Sequence, residues 1–172
     1  MGVLTLRKLD LPDGFTDGEW RIIKAAVGLH NAKEVNPGLK APLAAMVNVT
    51  RDADKVDIFS VILDHLSRPH SSGQVVIHQL EVHPTRYTPA VFEMVMSGGP
   101  CDYGLLRYDK DFLLLLTGWL FSLNYGTSAR LLRERGLVDR TFGLLPETDE
   151  IKVLEEKVFH HMKTLEAGRL QE

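Results

Sequence analysis

The chain has 172 residues and a mass of 19.3 kDa, with 44 % apolar and 25 % charged residues. The length suits one domain, and the composition excludes a wholly disordered chain, a collagen-like repeat and a disulfide scaffold. Twenty basic side chains stand against 23 acidic ones, for a formal charge of -3, so the global basic signature of a nucleic-acid binder is missing.

Met1 to Leu11 places Arg7 and Lys8 after its short apolar stretch, and no small-residue cleavage pattern follows. This is not the layout of a secretory signal. Val3 to Asp10 reads as a short edge strand or extended arm, and Leu11-Pro12-Asp13-Gly14 is turn chemistry. Thr16 and Glu19 then form a T-x-x-E capping box, with Phe15 and Trp20 at the positions of a hydrophobic staple. Trp20, Ile23, Val27 and His30 recur at helical spacing, which predicts a helix from Asp17 to Lys33. Asn36-Pro37-Gly38 breaks it.

Pro42 suits the first turn of a short helix to Asn48, where its missing donor costs nothing. Asp52 or Asp54 would cap the next helix, whose stripe is Val56, Phe59, Ile62 or Leu63, and Leu66. Arg68 to Gly73 reads as a loop. Gln74 to Val82 fits two forms. Ser71 to Gln74 resembles a second capping box, whereas Val75-Val76-Ile77 favours a pleated strand; the helical remainder of the chain tips the expectation to helix. Thr88-Pro89 reads as an N-cap with proline in the first turn, followed by the apolar face Val91, Phe92 and Val95. Ser97-Gly98-Gly99-Pro100 ends that helix.

Asp109 is the expected cap of a central helix, Lys110 to Leu123. Its residues Phe112 to Leu116 and Trp119 to Phe121 leave almost no polar face, the mark of a helix buried on all sides. Twelve apolar-rich residues from Phe112 to Leu123 are too few to span a bilayer. A turn through Asn124-Tyr125-Gly126 leads to a short helix, Ser128 to Arg135, which Gly136 ends in a left-handed cap. Phe142 to Pro146 reads as a connector. Thr148 or Asp149 opens the last helix, with Ile151, Leu154, Val158, Met162 and Leu165 in steps of three and four. The fold class that follows is mainly α: a single compact multi-helix domain, residues 1–172, around a buried central helix, with room for one small strand pair.

Candidate chemistry is sparse. His65 and His70 are five apart, as are His78 and His83, whereas helical ligands of one metal sit three or four apart. His160 and His161 are adjacent and diverge on a helix. No metal site or cofactor is expected from these spacings. Cys101 is the one cysteine, so an internal disulfide is ruled out, a reducing compartment fits, and the thiol reads as a small buried hydrophobe. Asp52, Asp54 and Asp57 fit helix capping. The expectation is a soluble cytoplasmic protein.

Two functional readings remain. The leading one is a non-enzymatic protein-interaction module, meaning an adaptor, small subunit or chaperone-like factor. Its contact residues would be Ile151, Leu154, Val158, Met162 and Leu165, since such a stripe docks into an apolar groove; the partner would be another protein or a second copy. The same stripe also suits packing on the chain's own core. The second reading is a DNA-binding regulator. Asp111 to Arg140 has the outline of a helix-turn-helix, with Thr127, Ser128, Arg130, Arg133 and Arg135 as its nucleic-acid contacts, and Leu131 to Val138 resembles the end of a winged-helix recognition helix and the strand after it. Against it, residues 126–140 hold four arginines beside Glu134 and Asp139, a net of +2.

Overall fold

The computed structural model describes residues 14–32, 35–66, 80–99 and 102–168. Among them are seven α-helices, a 3-10 turn and no strand. We number the helices α1 (Asp17–Leu29), α2 (Leu43–Leu66), α3 (Pro89–Met96), α4 (Asp109–Leu120), α5 (Gly126–Glu134), α6 (Leu137–Gly143) and α7 (Asp149–Glu166); the 3-10 turn is Tyr103–Leu105. The protein is mainly helical. Its contacts divide it into two compact units, Met1–Lys55 and Val56–Glu172, at a place where the composition marks no boundary.

In the first unit, the capping box forms as the sequence requires. The Glu19 carboxylate accepts from Thr16 N at 2.8 Å, and the Thr16 hydroxyl accepts from Glu19 N at 3.3 Å. The bond from Thr16 N, and a second from the Thr16 hydroxyl to the same carboxylate at 2.8 Å, hold the Glu19 carboxyl below the usual carboxylate range. Phe15 nevertheless stays 46 % exposed, so no staple buries it. Helix α1 stops at Leu29, short of Lys33, because its end is tied off. One guanidinium nitrogen of Arg51 donates to the carbonyls of Leu29, His30 and Ala32 at 3.3, 3.1 and 2.8 Å. A cation here satisfies orphan carbonyls and opposes the negative end of the helix dipole.

Helix α2 corrects an expectation. The two helices expected on either side of residues 48–52 are one helix, because nothing there breaks it. Thr50 turns its hydroxyl back onto the Met46 carbonyl at 2.8 Å, the usual way a mid-helix threonine is accommodated. Asp52 stands within the helix rather than at its start; it is buried, 3.9 Å from Lys55 Nζ. Burial holds the Lys55 ammonium below its ordinary value, and Asp52 partly offsets the effect.

In the second unit, α4 is the hub. Its residues Asp111 to Thr117 and Leu120 are buried, and it packs against α3, α6 and α7. Val56, Phe59, Ile62 and Leu63 from the end of α2 join the same core cluster, as do Val91, Val95, Leu132, Val138 and Phe142. The helix starts one residue earlier than expected: Tyr108 is its cap and Asp109 its first residue. The reason lies with Asp111. Its buried carboxylate accepts from Thr88 N at 2.6 Å and the Thr88 hydroxyl at 2.7 Å, from Arg107 N at 2.8 Å and from Tyr108 N at 2.9 Å. One side chain thus satisfies the amide at the cap of α4 and the amide and hydroxyl at the cap of α3. A buried carboxylate is tolerated only when saturated in this way.

Two further helix ends are closed from elsewhere in this unit. Arg140 donates to Asp64 at 2.7 Å and to the Leu63 carbonyl at 3.0 Å, at the end of α2. Lys157 donates to the Met96 carbonyl at the end of α3 and lies 5.6 Å from the Phe121 ring centre.

Residues 80–82 are extended and correct the helix expected there. Glu81 N donates to the Arg107 carbonyl at 2.8 Å, and Asp109 N donates to the Glu81 carbonyl at 3.0 Å. This single parallel bridge between Glu81 and Tyr108 satisfies the backbone that a helix would otherwise have served. The expectations for residues 3–10, 68–73 and 74–79, and that for Cys101, lie outside the described residues.

Candidate protein-contact surface

The stripe first read as a contact surface is not on the surface. Ile151, Leu154, Val158, Met162 and Leu165 are all 5 % exposed or less and belong to the core cluster. Helix α7 packs against α5 and α4, and the stripe faces them. The regular steps do make an apolar face, and that face packs on this chain's own core. The Thr148 hydroxyl accepts from Ile151 N at 3.3 Å and starts α7 as expected.

The helix-turn-helix outline also changes in three dimensions. Helix α5 packs on α7 and α6 rather than standing as the second arm of a hairpin on α4. Gly126 makes this possible: a Cβ there would lie 2.6 Å from the Leu165 carbonyl oxygen and 2.7 Å from Glu166 Cα. Arg133 is turned along α7, its Nε and Nη2 donating to the Glu166 carboxylate at 3.1 and 2.9 Å. That fork holds the Glu166 carboxyl below the usual range, with the Arg130 charge adding to the effect. Arg130, Arg135 and Thr127 are exposed and Ser128 is half-buried. The segment expected to leave as a strand, Leu137-Val138, opens α6 instead. Gly136 turns the chain with φ +64, a left-handed conformation that glycine takes at no steric cost, and both apolar residues then enter the core.

The histidines are spread over the fold. His30 Nδ1 lies 2.7 Å from the Val27 carbonyl. His83 Nδ1 accepts from Thr85 N at 3.2 Å and Arg86 N at 3.0 Å, which fixes a turn ahead of α3. His161 packs edge-on against Phe121 with ring centres 5.2 Å apart; its Nε2 is buried without a partner, and burial lowers its proton affinity. No three His, Cys, Asp or Glu side chains gather into a possible metal site among the described residues. No described helix is long and apolar enough to cross a membrane.

What the structure does expose is a face of α2. Met46 is 40 % and Val49 52 % exposed, and Ala45 and Ala53 on adjoining turns are exposed too. On a helix, positions 45, 49 and 53 follow at steps of four, and 46 and 53 lie two turns apart, so the four share one side. The sequence held this pattern, but dividing α2 at Asn48 separated Met46 from Ala53 and hid it.

Comparison with protein-family models, with curated proteins and with solved structures returns no match to this chain.

Proposed function

We propose that the chain is a non-enzymatic protein-contact module, an adaptor or small subunit that receives an apolar helical segment on the Ala45–Met46–Val49–Ala53 face of α2. The observation that supports this reading is the exposure of Met46 and Val49 on that face, next to two alanines. Apolar side chains grouped at a surface mark contact sites more often than the same residues scattered singly. Alanines let a partner helix approach closely, and methionine adapts its shape to the partner. The test is native mass spectrometry of the gently purified chain beside Val49→Asp. The wild type is expected to carry added mass, and Val49→Asp to lose it while its thermal melt stays unchanged. Equal masses for the two proteins would end this reading.

The alternative is a DNA-binding regulator acting through Arg130 and Arg135 of α5, which are exposed. Glu166 beside Arg133 and Arg130 reduces the field such a surface would offer. Binding to duplex DNA that is present at low salt and falls steeply as salt rises would favour it. Absence of binding at low salt would remove it.

A further inference from the structure

We propose that His83 is an acid-responsive latch: its neutral ring closes the turn of residues 83–86, and protonation of the ring releases that turn, and with it Tyr87, at the entrance to α3.

The geometry leaves the ring nitrogen one role. Nδ1 accepts from Thr85 N at 3.2 Å and from Arg86 N at 3.0 Å. A backbone amide is always a donor, so the ring atom that faces both must carry a bare lone pair. The neutral ring therefore holds its proton on Nε2. An imidazolium carries a proton on each nitrogen, so charging the ring sets a third N–H against the two amides and removes their acceptor. Histidine is the side chain that ordinarily changes charge near neutral pH. The ring is half-buried, so water still reaches it.

The charged ring also has a destination. His83 N donates to Asp109 Oδ1 at 3.0 Å, which puts a carboxylate within a side chain's length of the ring. Asp109 Oδ2 meanwhile accepts from Lys110 Nζ at 3.1 Å. The Tyr108 ring, at the cap of α4, packs edge-on to the imidazole with centres 6.1 Å apart. Along the chain, Glu81 and Arg86 carry opposite charges and are exposed, as is Arg107 on the facing segment. The ring thus has two places to be, on the amides of Thr85 and Arg86 or turned to Asp109. A pH switch needs a two-state element of this kind.

The opening is bounded on both sides. Thr88 stays in place, because the Asp111 carboxylate accepts from its amide and its hydroxyl. Glu81 stays bonded to Arg107 and Asp109 through its backbone. Between these anchors lies Tyr87, whose hydroxyl donates to Glu150 at 2.6 Å, in the first turn of α7. Burial and that bond raise the Tyr87 hydroxyl above its ordinary range, so it remains a donor while His83 titrates. Loosening the backbone that carries Tyr87 weakens its bond to Glu150.

Solution NMR of the full chain between about pH 8 and about pH 5 brackets the histidine range and tests the latch. The ring nitrogen shifts of His83 should show the Nε2–H tautomer at the upper end. As the ring protonates, the amide signals of Thr85 and Arg86 should move with the same midpoint as the ring, and the ring signals of Tyr87 should follow. His83→Asn is the decisive variant. Its side-chain oxygen accepts from the same amides in an Asx turn but does not titrate, so Thr85, Arg86 and Tyr87 should show no step. His83→Ala should hold the same signals at their acid positions throughout. Asp109→Asn keeps an acceptor for His83 N without the charge, so the step should move to lower pH.

Amides of Thr85 and Arg86 that stand still while the His83 ring titrates would overturn the latch. So would an equal step in His83→Asn. A step that Asp109→Asn leaves where it is would overturn Asp109 as the destination of the charged ring.

Discussion

Gly126→Ala should destabilise the second unit, although the same change stabilises an ordinary helix. In an exposed helix interior, alanine is better than glycine by roughly 0.5–1 kcal/mol. At Gly126 the new Cβ would lie 2.6 Å from the Leu165 carbonyl oxygen and 2.7 Å from Glu166 Cα. Both are backbone atoms, so no side chain can rotate away. Real Cβ contacts essentially never fall below 3.0 Å, so α5 and α7 must part by at least 0.4 Å (3.0 minus 2.6). That separation loosens the seam between Ala129, Leu132, Val158, Met162 and Leu165, which are buried. Overpacking of this kind costs about 1–3 kcal/mol. Gly126 is the first residue of its helix, where the propensity gain is small, and the net loss should be about 1–2 kcal/mol, most of the packing cost. Urea denaturation followed by Trp119 fluorescence, in a Trp20→Phe background, reads the second unit alone. Gly143→Ala is the control, since a Cβ there meets nothing within 4 Å and should be neutral or slightly stabilising. If Gly126→Ala proves as harmless as Gly143→Ala, the close approach of α5 to α7 is wrong.

Three further outcomes are expected. Asp111→Asn turns an amide donor toward groups that are themselves donors, and at a buried site with four donors this should cost about 2–5 kcal/mol in chemical denaturation; a change near zero would show that Asp111 does not join the starts of α3 and α4. Leu116→Ala, at a fully buried position of the hub, should cost about 2–5 kcal/mol by loss of transfer energy and cavity formation, and a negligible loss in the same melts would displace α4 from the core. For His161, burial lowers the folded proton affinity below the unfolded value, so the unfolded chain binds the proton first as pH falls. Stability is therefore full above the ordinary histidine range and declines as pH drops through it toward the lower folded value. His161→Leu should show a shallower loss between neutral and mildly acid pH, and identical slopes would refute the burial of its ring nitrogen.

What was legible in the sequence was mostly local. The Thr16–Glu19 box, the Thr148 cap and the Gly136 turn are each written within four residues, and each forms as read; Thr88-Pro89 does open α3, but the Thr88 hydroxyl donates to Asp111 and makes no cap bond. The all-apolar run of α4 announced the hub because no arrangement short of burial suits it. What failed was non-local. The four donors to Asp111 come from Thr88, Arg107 and Tyr108, and the partner of the α7 stripe comes from α4 and α5. A regular apolar stripe looks the same whether it faces its own core or another protein. Helix α2 was divided because Asp52 and Asp54 resemble cap residues, while both lie inside one continuous helix and Asp52 is buried. The exposed apolar side of α2 was hidden by that division, not for want of a signal.

Val49→Asp and Val158→Asp, measured side by side, test most directly whether the contact surface lies on α2 and the core on α7. Both changes put a carboxylate on an apolar helix position; Val49 is 52 % exposed and Val158 fully buried. Native mass spectrometry with a urea melt of each should show Val49→Asp folded at 19.3 kDa without the added mass of the wild type, and Val158→Asp unfolded or severely destabilised. A folded Val158→Asp that sheds the added mass, beside a Val49→Asp that keeps it, would contradict the account.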